Sequence, residues 1–458
     1  MAVSPARALA FEILLRIERE DSYASDLLHS ASAAQLSSRD HGLATELVFG
    51  VLRWRSLLDR YIAATSSQQL DRLDGEVLIA LRLGAYQLRF LSRVPARAAI
   101  FESVELVKAA RKRSAASFVN AVLRKIAAVP HQDVLKEINQ SPDAITLAQN
   151  AAHPAWLVTR WVEQYGLSAT RQICRHNQTT PDTAIHFDGR GQIQQNQIEA
   201  ELPATGVEFS GGQLLSSARR VLSGNLSATL PYRDGRIAIQ DEASQLVALL
   251  VGQNLVAQNH EREVILDCCA APGNKTALVG RRNPLAQVLA IDLHPHRARL
   301  LQERNRLPNV RVVAADARHL PFSVRFDRIL ADVPCSGTGT LARNPEIKWR
   351  LRLEDLQDLQ ARQIAILKSA LWQLASGGRL LYSTCSLEPE ENEAVVAAAM
   401  KDAGDFQVVP PRAELDRLRQ SGEMLWQDVE SLLAGPYLRT IPGVHPCDGF
   451  FAALMTRK

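Results

Sequence analysis

The sequence predicts a multidomain chain: an all-α N-terminal domain over residues 1–135, a small α+β connector over 140–235, and a C-terminal α/β domain with a Rossmann-like sheet over 236–458. Three observations predict this division. Apolar residues recur at helical spacing almost without a break from residue 3 to about 128. Short mixed segments punctuated by Gly211, Gly212 and Gly224 follow. Beyond 236, β-branched apolar runs alternate with helical stretches, the pattern of parallel strands joined by crossover helices. A length of 458 residues accommodates this, since domains run to roughly 150 residues each.

In the first domain, Leu43, Leu47, Val51, Trp54, Leu58 and Tyr61 fall three and four apart, one face of a helix that Ser37 or Ser38 can cap. A second helix, Glu76 to Leu91, is apolar on more sides and is expected at the centre. Pro95 separates it from a third, and FVNAVLRKI (118–126) forms another with a basic edge. The net charge is only +4, but it is unevenly placed: residues 1–130 hold 18 Lys+Arg against 13 Asp+Glu, and the rest 35 against 36. Arg111-Lys112-Arg113 is the densest cluster. A phosphate-binding face and a solvated helix surface both fit this charge. In the connector, HPAWLVTRWVEQYG (153–166) and QNQIEAEL (195–202) read as helices and the stretch near 182–188 as a strand; its chemistry is left open, with widening of a substrate groove as the expectation.

The C-terminal domain carries the chemistry. RIAIQDEASQLVALLVG (236–252) leads into the strand EVILDCCA (263–270) and the tight turn APGNKT, which opens a helix. A turn of this kind lets backbone N–H groups approach a ligand closely. The spacing is neither that of a phosphate-binding GxxxxGK[ST] loop nor GxGxxG. LAQVLAIDL (285–293) and NVRVVAADA (309–317) are further strands that end in Asp292 and Asp316, with a helix over roughly 294–306 between them. FDRILAD (326–332) ends in Asp332 and runs on into Val-Pro-Cys335, Gly337, Gly339 and a basic segment with Arg343, Lys348, Trp349 and Arg350. After a long helix (353–374), GGRLLYSTCS (377–386) is a fifth strand that delivers Cys385, and Pro389-Glu390-Glu391-Asn392-Glu393 opens another helix. Taken singly, each Asp is equally a cap or turn residue. Acids on successive strand ends beside a close-approach turn read together as a nucleoside site, one carboxylate for ribose hydroxyls and another for an adenine amino group, and point to S-adenosylmethionine.

Cys174, Cys268 and Cys447 read as buried small hydrophobes. Cys335 and Cys385 sit instead in polar turns at the ligand-bearing edge. A thiolate there can add to C6 of a pyrimidine and turn C5 into a carbon that attacks a sulfonium methyl group. A free thiol ionises near ~8.5, so such a site must lower that value or remove the proton on binding. Asp332 can hydrogen-bond N3 and N4 of cytosine in the transition state.

DCCAAPGNKT, FDRILADVPCSGTG, NPEIKW and LLYSTCSLEPEENE closely resemble the RNA (cytosine-C5) methyltransferases, and within them the branch acting on small-subunit ribosomal RNA. VFGVLRWRSLLDRYI and FVNAVLRKI resemble that branch's N-terminal extension, which has the RNA-binding fold of the antitermination factor NusB; CDGFFAALM (447–455) resembles its closing strand. The resemblance implies a NusB-like all-α domain, a class I methyltransferase domain, S-adenosyl-L-methionine as cofactor and 16S rRNA, naked or partly assembled, as substrate. It makes Cys385 the nucleophile, Cys335 the residue that assists product release and Asp332 the contact to the base. Cys269, Ala270, Ala271, Pro272, Gly273, Asn274 and Lys275 would form the first cofactor loop, with Asp292, Asp316 and Asp332 as further cofactor contacts. Lys348 and Arg343 are candidates for RNA phosphates on a basic-patch argument. One departure stands out: the family's Gly-Gly-Lys-Thr is Gly273-Asn274-Lys275-Thr276 here, and Asn is expected to tolerate a positive φ there.

Three readings stay open at this point. DNA cytosine methyltransferases use the Pro-Cys thiol as nucleophile, and the additional Thr-Cys pair favours Cys385. A tRNA substrate competes with rRNA, and an inert RNA-binding assembly factor competes with an enzyme. The target base must leave its stack, so an unpaired or easily opened site is expected. Six cysteines in no disulfide or zinc pattern, no signal peptide and no apolar run near ~20 residues lead to the expectation of a cytoplasmic, metal-free protein away from the membrane, and a site complete within one chain to the expectation of a monomer.

Overall fold

The computed structural model describes residues 3–20, 22–30, 33–130, 133–187, 192–252, 263–401 and 403–458. Chain contacts divide it into two compact units, Met1–Thr180 with Leu341–Arg350, and Pro181–Thr340 with Leu351–Lys458.

The first unit is all-α. Its helices are Pro5–Arg19, Ala24–Leu28, Ser38–Thr65, Gly75–Phe90, Ala96–Ala109 and Ala116–Ala128, followed by Val134–Gln140, Ala144–Asn150 and Ala155–Asn177. Ser37, rather than Ser38, caps the long helix, its hydroxyl accepting from Asp40 N at 3.1 Å. Leu47, Val51, Trp54 and Leu58 of the predicted stripe are buried, and Gly75–Phe90 is buried around most of its circumference. The helix expected over 153–166 runs to Asn177, broken at Gly166 (φ 77°), where only glycine takes the backbone without strain.

Residues 341–350 belong to this helical unit although they follow the Pro-Cys motif directly. Trp349 Nε1 donates to Leu52 O (2.6 Å), Arg350 Nη2 to Ile17 O (3.1 Å), and Glu346 accepts from Ala24 N (2.8 Å). Lys348 is 1 % exposed, and its Nζ donates to Arg53 O at 2.9 Å. This corrects the sequence expectation: a buried ammonium tied to a backbone carbonyl presents no charge to an RNA phosphate. Burial pushes the Lys348 ammonium well below the ordinary lysine range, with Arg53 acting in the same direction and Cys174 opposing. Arg343 is half-buried in the same segment. Lys348→Met is therefore expected to leave RNA affinity, measured by filter binding, within about twofold of wild type, because a phosphate contact contributes only where the charge is accessible. Arg53 O keeps the Gln178 Nε2 donor at 3.0 Å.

The second unit contains two sheets. The smaller is antiparallel in the order β2-β3-β1-β4, with β1 Thr183–Phe187, β2 Glu208–Gly211, β3 Ala218–Ser223 and β4 Ile237–Ile239, and helix Gln192–Ala204 packs on it. The larger sheet holds β5 Val264–Asp267, β6 Gln287–Asp292, β7 Val310–Ala314, β8 Phe326–Asp332, β9 Leu374–Thr384, β10 Phe406–Val409, β11 Leu433–Ala434, β12 Tyr437–Thr440 and β13 Phe450–Arg457. Its order is β11-β12-β13-β9-β8-β5-β6-β7, with β10 paired to β13. Strands β5 to β9 form the parallel part, whereas β13 lies antiparallel beside β9, with Phe451 opposite Thr384. The sheet is thus mixed, where the sequence pattern shows only its parallel half. The central strands are apolar on both faces: Leu266, Ile329, Leu330, Leu380 and Tyr382 are almost wholly enclosed, as expected for a sheet with helices on either side.

Candidate active site

The parallel strands reverse direction of travel between β5 and β8. From β5 the chain moves to β6 and β7, then returns across β5 to β8 and β9. At such a switch point the connecting loops part beyond the strands' carboxyl ends and leave a crevice for ligand. Asp267 ends β5, Asp292 ends β6 and Asp332 ends β8, while Asp316 follows β7.

The turn after β5 is fixed by backbone hydrogen bonds from Cys268 N to Leu330 O and from Ala270 N to Ile291 O, both 2.8 Å. Its Ala271–Pro272 peptide is cis. Gly273 caps helix Asn274–Arg282 with φ 113°, and a Cβ there would lie 2.5 Å from Leu301 Cδ1. The left-handed position is thus Gly273. Asn274 is the first helical residue, does not adopt a positive φ, and uses its side chain to donate to Ile239 O at 2.9 Å. The expected reason for tolerating Asn is therefore corrected: the substitution sits where the backbone is ordinary.

The acids differ in what holds them. Asp292, 5 % exposed, accepts from His294 N at 3.0 Å. Asp316 is gripped by Arg318, whose Nη2 donates at 2.7 Å, and these bonds hold its carboxyl below the usual range. Asp267 accepts from Thr276 Oγ1 at 2.7 Å through Oδ2, while its buried Oδ1 has no hydrogen-bond partner among the described residues. Burial pushes Asp267 up to about 7, with Asp332 adding to the rise and the Thr276 bond opposing it. The folded state therefore binds this proton more tightly than the unfolded chain. The resulting stability is complete below about pH 4 and is lost as pH rises through about 7, at no more than about 1.4 kcal/mol per pH unit. Thermal melts of Asp267→Asn are expected to fall less than those of wild type across that window.

Lys275 and Asp332 form an ion pair, Nζ to Oδ2 at 2.7 Å, with side chains 15 % and 23 % exposed. Ser383 Oγ donates to the other carboxylate oxygen at 2.8 Å, and the Phe450 ring lies 5.2 Å from the ammonium. Burial alone would lower the Lys275 pKa, but Asp332, Cys385 and Asp267 more than offset it, so the ammonium persists above the ordinary lysine value. The turn residue from β5 and the acid from β8 thus close the switch point together.

Cys335 and Cys385 come from the loops after β8 and β9, and their sulfurs lie 3.3 Å apart. Both are half-buried, whereas Cys174, Cys268 and Cys447 are buried as expected. The hydrogen bond to Cys385 and burial hold the Cys335 thiol well above its usual value, with the charge of Glu391 adding to the effect. The sequence pattern shows both thiols at strand ends but not their contact, and it misses Glu391, which reads as a first-turn helix acid. Glu391 is fully buried and binds both cysteine loops.

Among the described residues no group of three or more His, Cys, Asp or Glu is arranged to hold a metal, and no helix is long and apolar enough to cross a membrane.

Comparison with known proteins agrees with this geometry. The family model "16S rRNA methyltransferase RsmB/F" matches residues 254–456, the NusB family model matches 4–128, and the ferredoxin-like domain of RsmF/B-type methyltransferases matches 153–223. The chain is 32 % identical over 470 residues to the probable ribosomal RNA small subunit methyltransferase B of Bacillus subtilis, covering 100 % of each. It is 34 % identical to ribosomal RNA small subunit methyltransferase B of Proteus mirabilis, covering 92 % of each. A methyltransferase homologue from Pyrococcus horikoshii shares the fold, with a TM-score of 0.55 at 23 % identity over 69 % of this chain and 100 % of that one. A helical NusB-like domain, a connector and a mixed-sheet methyltransferase domain whose two cysteines meet beside the switch point place the chain in the RsmB/F family of 16S rRNA methyltransferases.

Proposed function

We propose that this protein transfers a methyl group from S-adenosylmethionine to C5 of a cytosine in 16S rRNA through a covalent cysteine adduct. The observation that carries this reading is the 3.3 Å approach of Cys335 and Cys385 beside the Lys275–Asp332 pair. Two thiols in one site suit a reaction that first forms and then breaks a carbon–sulfur bond.

The residues present fit the cofactor. The unpaired Oδ1 of Asp267 suits an ammonium donor, and the turn from Cys269 to Lys275 brings backbone N–H groups to the crevice, with Asp292 and Asp316 at the next strand ends for a nucleoside. When bound, S-adenosylmethionine supplies an electrophilic methyl group on a sulfonium. Cys385 adds to C6 of the base, and the C5–C6 π electrons become available at C5 to take the methyl. Asp332 accepts from N4 of the base, and Lys275 neutralises charge developing on the ring during addition. Cys385 loses its proton to solvent as it adds; once that sulfur is a neutral thioether, Cys335 ionises, its thiolate takes the C5 proton, the C5–C6 double bond re-forms and the Cys385 thiolate leaves. The contact with Cys385 that raises the Cys335 pKa in the free site changes once that sulfur is bonded to carbon, which lets Cys335 ionise for that last step.

The N-terminal unit contributes the RNA-binding surface, with Arg343 as the phosphate contact kept from its segment. Naked or partly assembled small-subunit RNA is the substrate, and a monomer in the cytoplasm suffices, since one chain carries all the groups named. The test uses small-subunit RNA labelled with tritium at cytosine C5, because methylation there must expel the label. One tritium released per methyl transferred supports the reading. Methyl incorporation without release contradicts it, and release from tRNA alone would move the substrate.

A further inference from the structure

We propose that Glu391 is a positioning residue that clamps the two cysteine loops into one unit and thereby sets the spacing of the two thiols. The inference rests on the two-thiol reading above and deepens it. Each cysteine is followed by a serine, and both serines reach the same carboxylate. Ser336 Oγ and Ser386 Oγ each donate to Glu391 Oε2, and the two hydroxyls lie 3.0 Å apart. Glu391 Oε1 accepts from Ser336 N at 2.7 Å and from Gln363 Nε2 at 2.9 Å. The same Gln363 nitrogen donates to Pro334 O at 2.9 Å, just ahead of Cys335.

Around this hub the polar groups are buried and mostly hydrogen-bonded to one another, with Gln363 Oε1 lacking a partner among the described residues. Thr338 Oγ1 lies 3.3 Å from Ser386 Oγ and accepts from Leu387 N at 2.9 Å. Tyr382 OH donates to Glu391 O at 2.6 Å, and Asn392, next in sequence, accepts from Thr384 Oγ1 at 2.6 Å and donates to Ser386 O at 3.0 Å. Glu391, Ser386 and Gln363 are at most 1 % exposed. A buried carboxylate needs several donors to remain charged, and these donors come from both cysteine loops and the helix behind them. The sulfurs stand one residue from each serine, so the carboxylate fixes the two ends of the 3.3 Å contact. A neutral amide can keep its oxygen towards Ser336 N and Gln363 Nε2, but its N–H groups then face the two serine hydroxyls, which lose their charge-assisted bonds to Oε2 and must accept instead, so Glu391→Gln loosens the clamp with little change in volume.

The experiment compares full-length wild type, Glu391→Gln, Ser336→Ala and Ser386→Ala in three measurements. The first is oxidation by diamide, whose N=N bond takes up the two electrons and two protons lost as Cys335 and Cys385 form a disulfide; the linked peptides are quantified by mass spectrometry. The second is affinity for S-adenosylhomocysteine, and the third is kcat and KM for methyl transfer to small-subunit RNA. Glu391→Gln is expected to slow disulfide formation at least about tenfold and lower kcat about 100-fold, the loss that ~1 Å of misplacement brings, with both KM and cofactor affinity within about threefold. The serine variants, which retain the carboxylate and keep the fold testable should Glu391→Gln unfold, are expected to lose about tenfold in kcat with the same split. Wild-type kcat and disulfide rate in Glu391→Gln overturn the proposal, as does a parallel loss of cofactor affinity, which marks a merely structural role. Wild type that forms the disulfide quickly but carries no methyl to RNA, with that disulfide slowed in Glu391→Gln, upholds the clamp and removes the catalytic reading instead.

Discussion

Asp332→Asn is expected to lower kcat by about 10²–10³, the range seen when one preorganised group that stabilises a transition state is removed. Two effects combine. The substitution leaves a single neutral acceptor oxygen where the proposed contact to the base amino group needs a carboxylate, and it strips the ammonium of Lys275 of its 2.7 Å counter-charge in a site where that side chain is only 15 % exposed. Leaving a partly buried charge uncompensated also costs about 1–3 kcal/mol of stability. The Lys275 pKa is expected to fall in the variant, because burial disfavours its ammonium and Asp332 does most to restore it. Kinetics with saturating RNA, together with a thermal melt, separate the two effects. Wild-type kcat in a stable Asp332→Asn protein would remove Asp332 from the chemistry.

Gly339→Ala is the second large effect. Gly339 N donates to Cys385 O at 2.9 Å, and Gly339 O accepts from Gly449 N at 2.8 Å. The Pro-Cys segment, the end of β9 and the start of β13 thus meet backbone to backbone. A Cβ at Gly339 would lie 2.2 Å from Gly449 O and 2.9 Å from Cys385 O. Both neighbours are main chain, so no rotamer change relieves the overlap. Overpacking of this kind costs about 1–3 kcal/mol and must move the carbonyl of Cys385, the proposed nucleophile. Lower thermal stability with a larger fractional loss of kcat is expected; a variant with unchanged melting and turnover would show that the loops are free to separate.

The parts of the site legible in the sequence are those written in local pattern. Alternating apolar runs mark the strands, and residues that end a strand in a parallel sheet must lie at its ligand edge, so Asp292, Asp316, Asp332 and the Cys269–Lys275 turn can be placed before any coordinates, whereas Asp267 reads as the interior of EVILDCCA and is shown at a strand end only by the structure. What was not legible depends on contacts between distant segments. The basic residues of NPEIKW look solvent-facing because lysine and arginine usually are, yet residues 341–350 pack in the helical unit and bury Lys348 against Arg53 O. Glu391 has the composition of a first-turn helix acid, and only the return of β9 beside β8 brings Ser336 and Ser386 onto it. The antiparallel addition of β13 beside β9 leaves no local mark either, because Phe450–Arg457 is as apolar as a parallel strand.

The division of labour between the two thiols is the central claim, and trapping of the protein–RNA adduct tests it most directly. Small-subunit RNA is incubated with S-adenosylmethionine and wild type, Cys385→Ala or Cys335→Ala, then run on a denaturing gel. Cys335→Ala is expected to accumulate a stable covalent complex, since addition by Cys385 proceeds and release does not. Cys385→Ala is expected to show neither adduct nor methyl transfer. An adduct that accumulates in Cys385→Ala instead would make Cys335 the nucleophile and exchange the two roles.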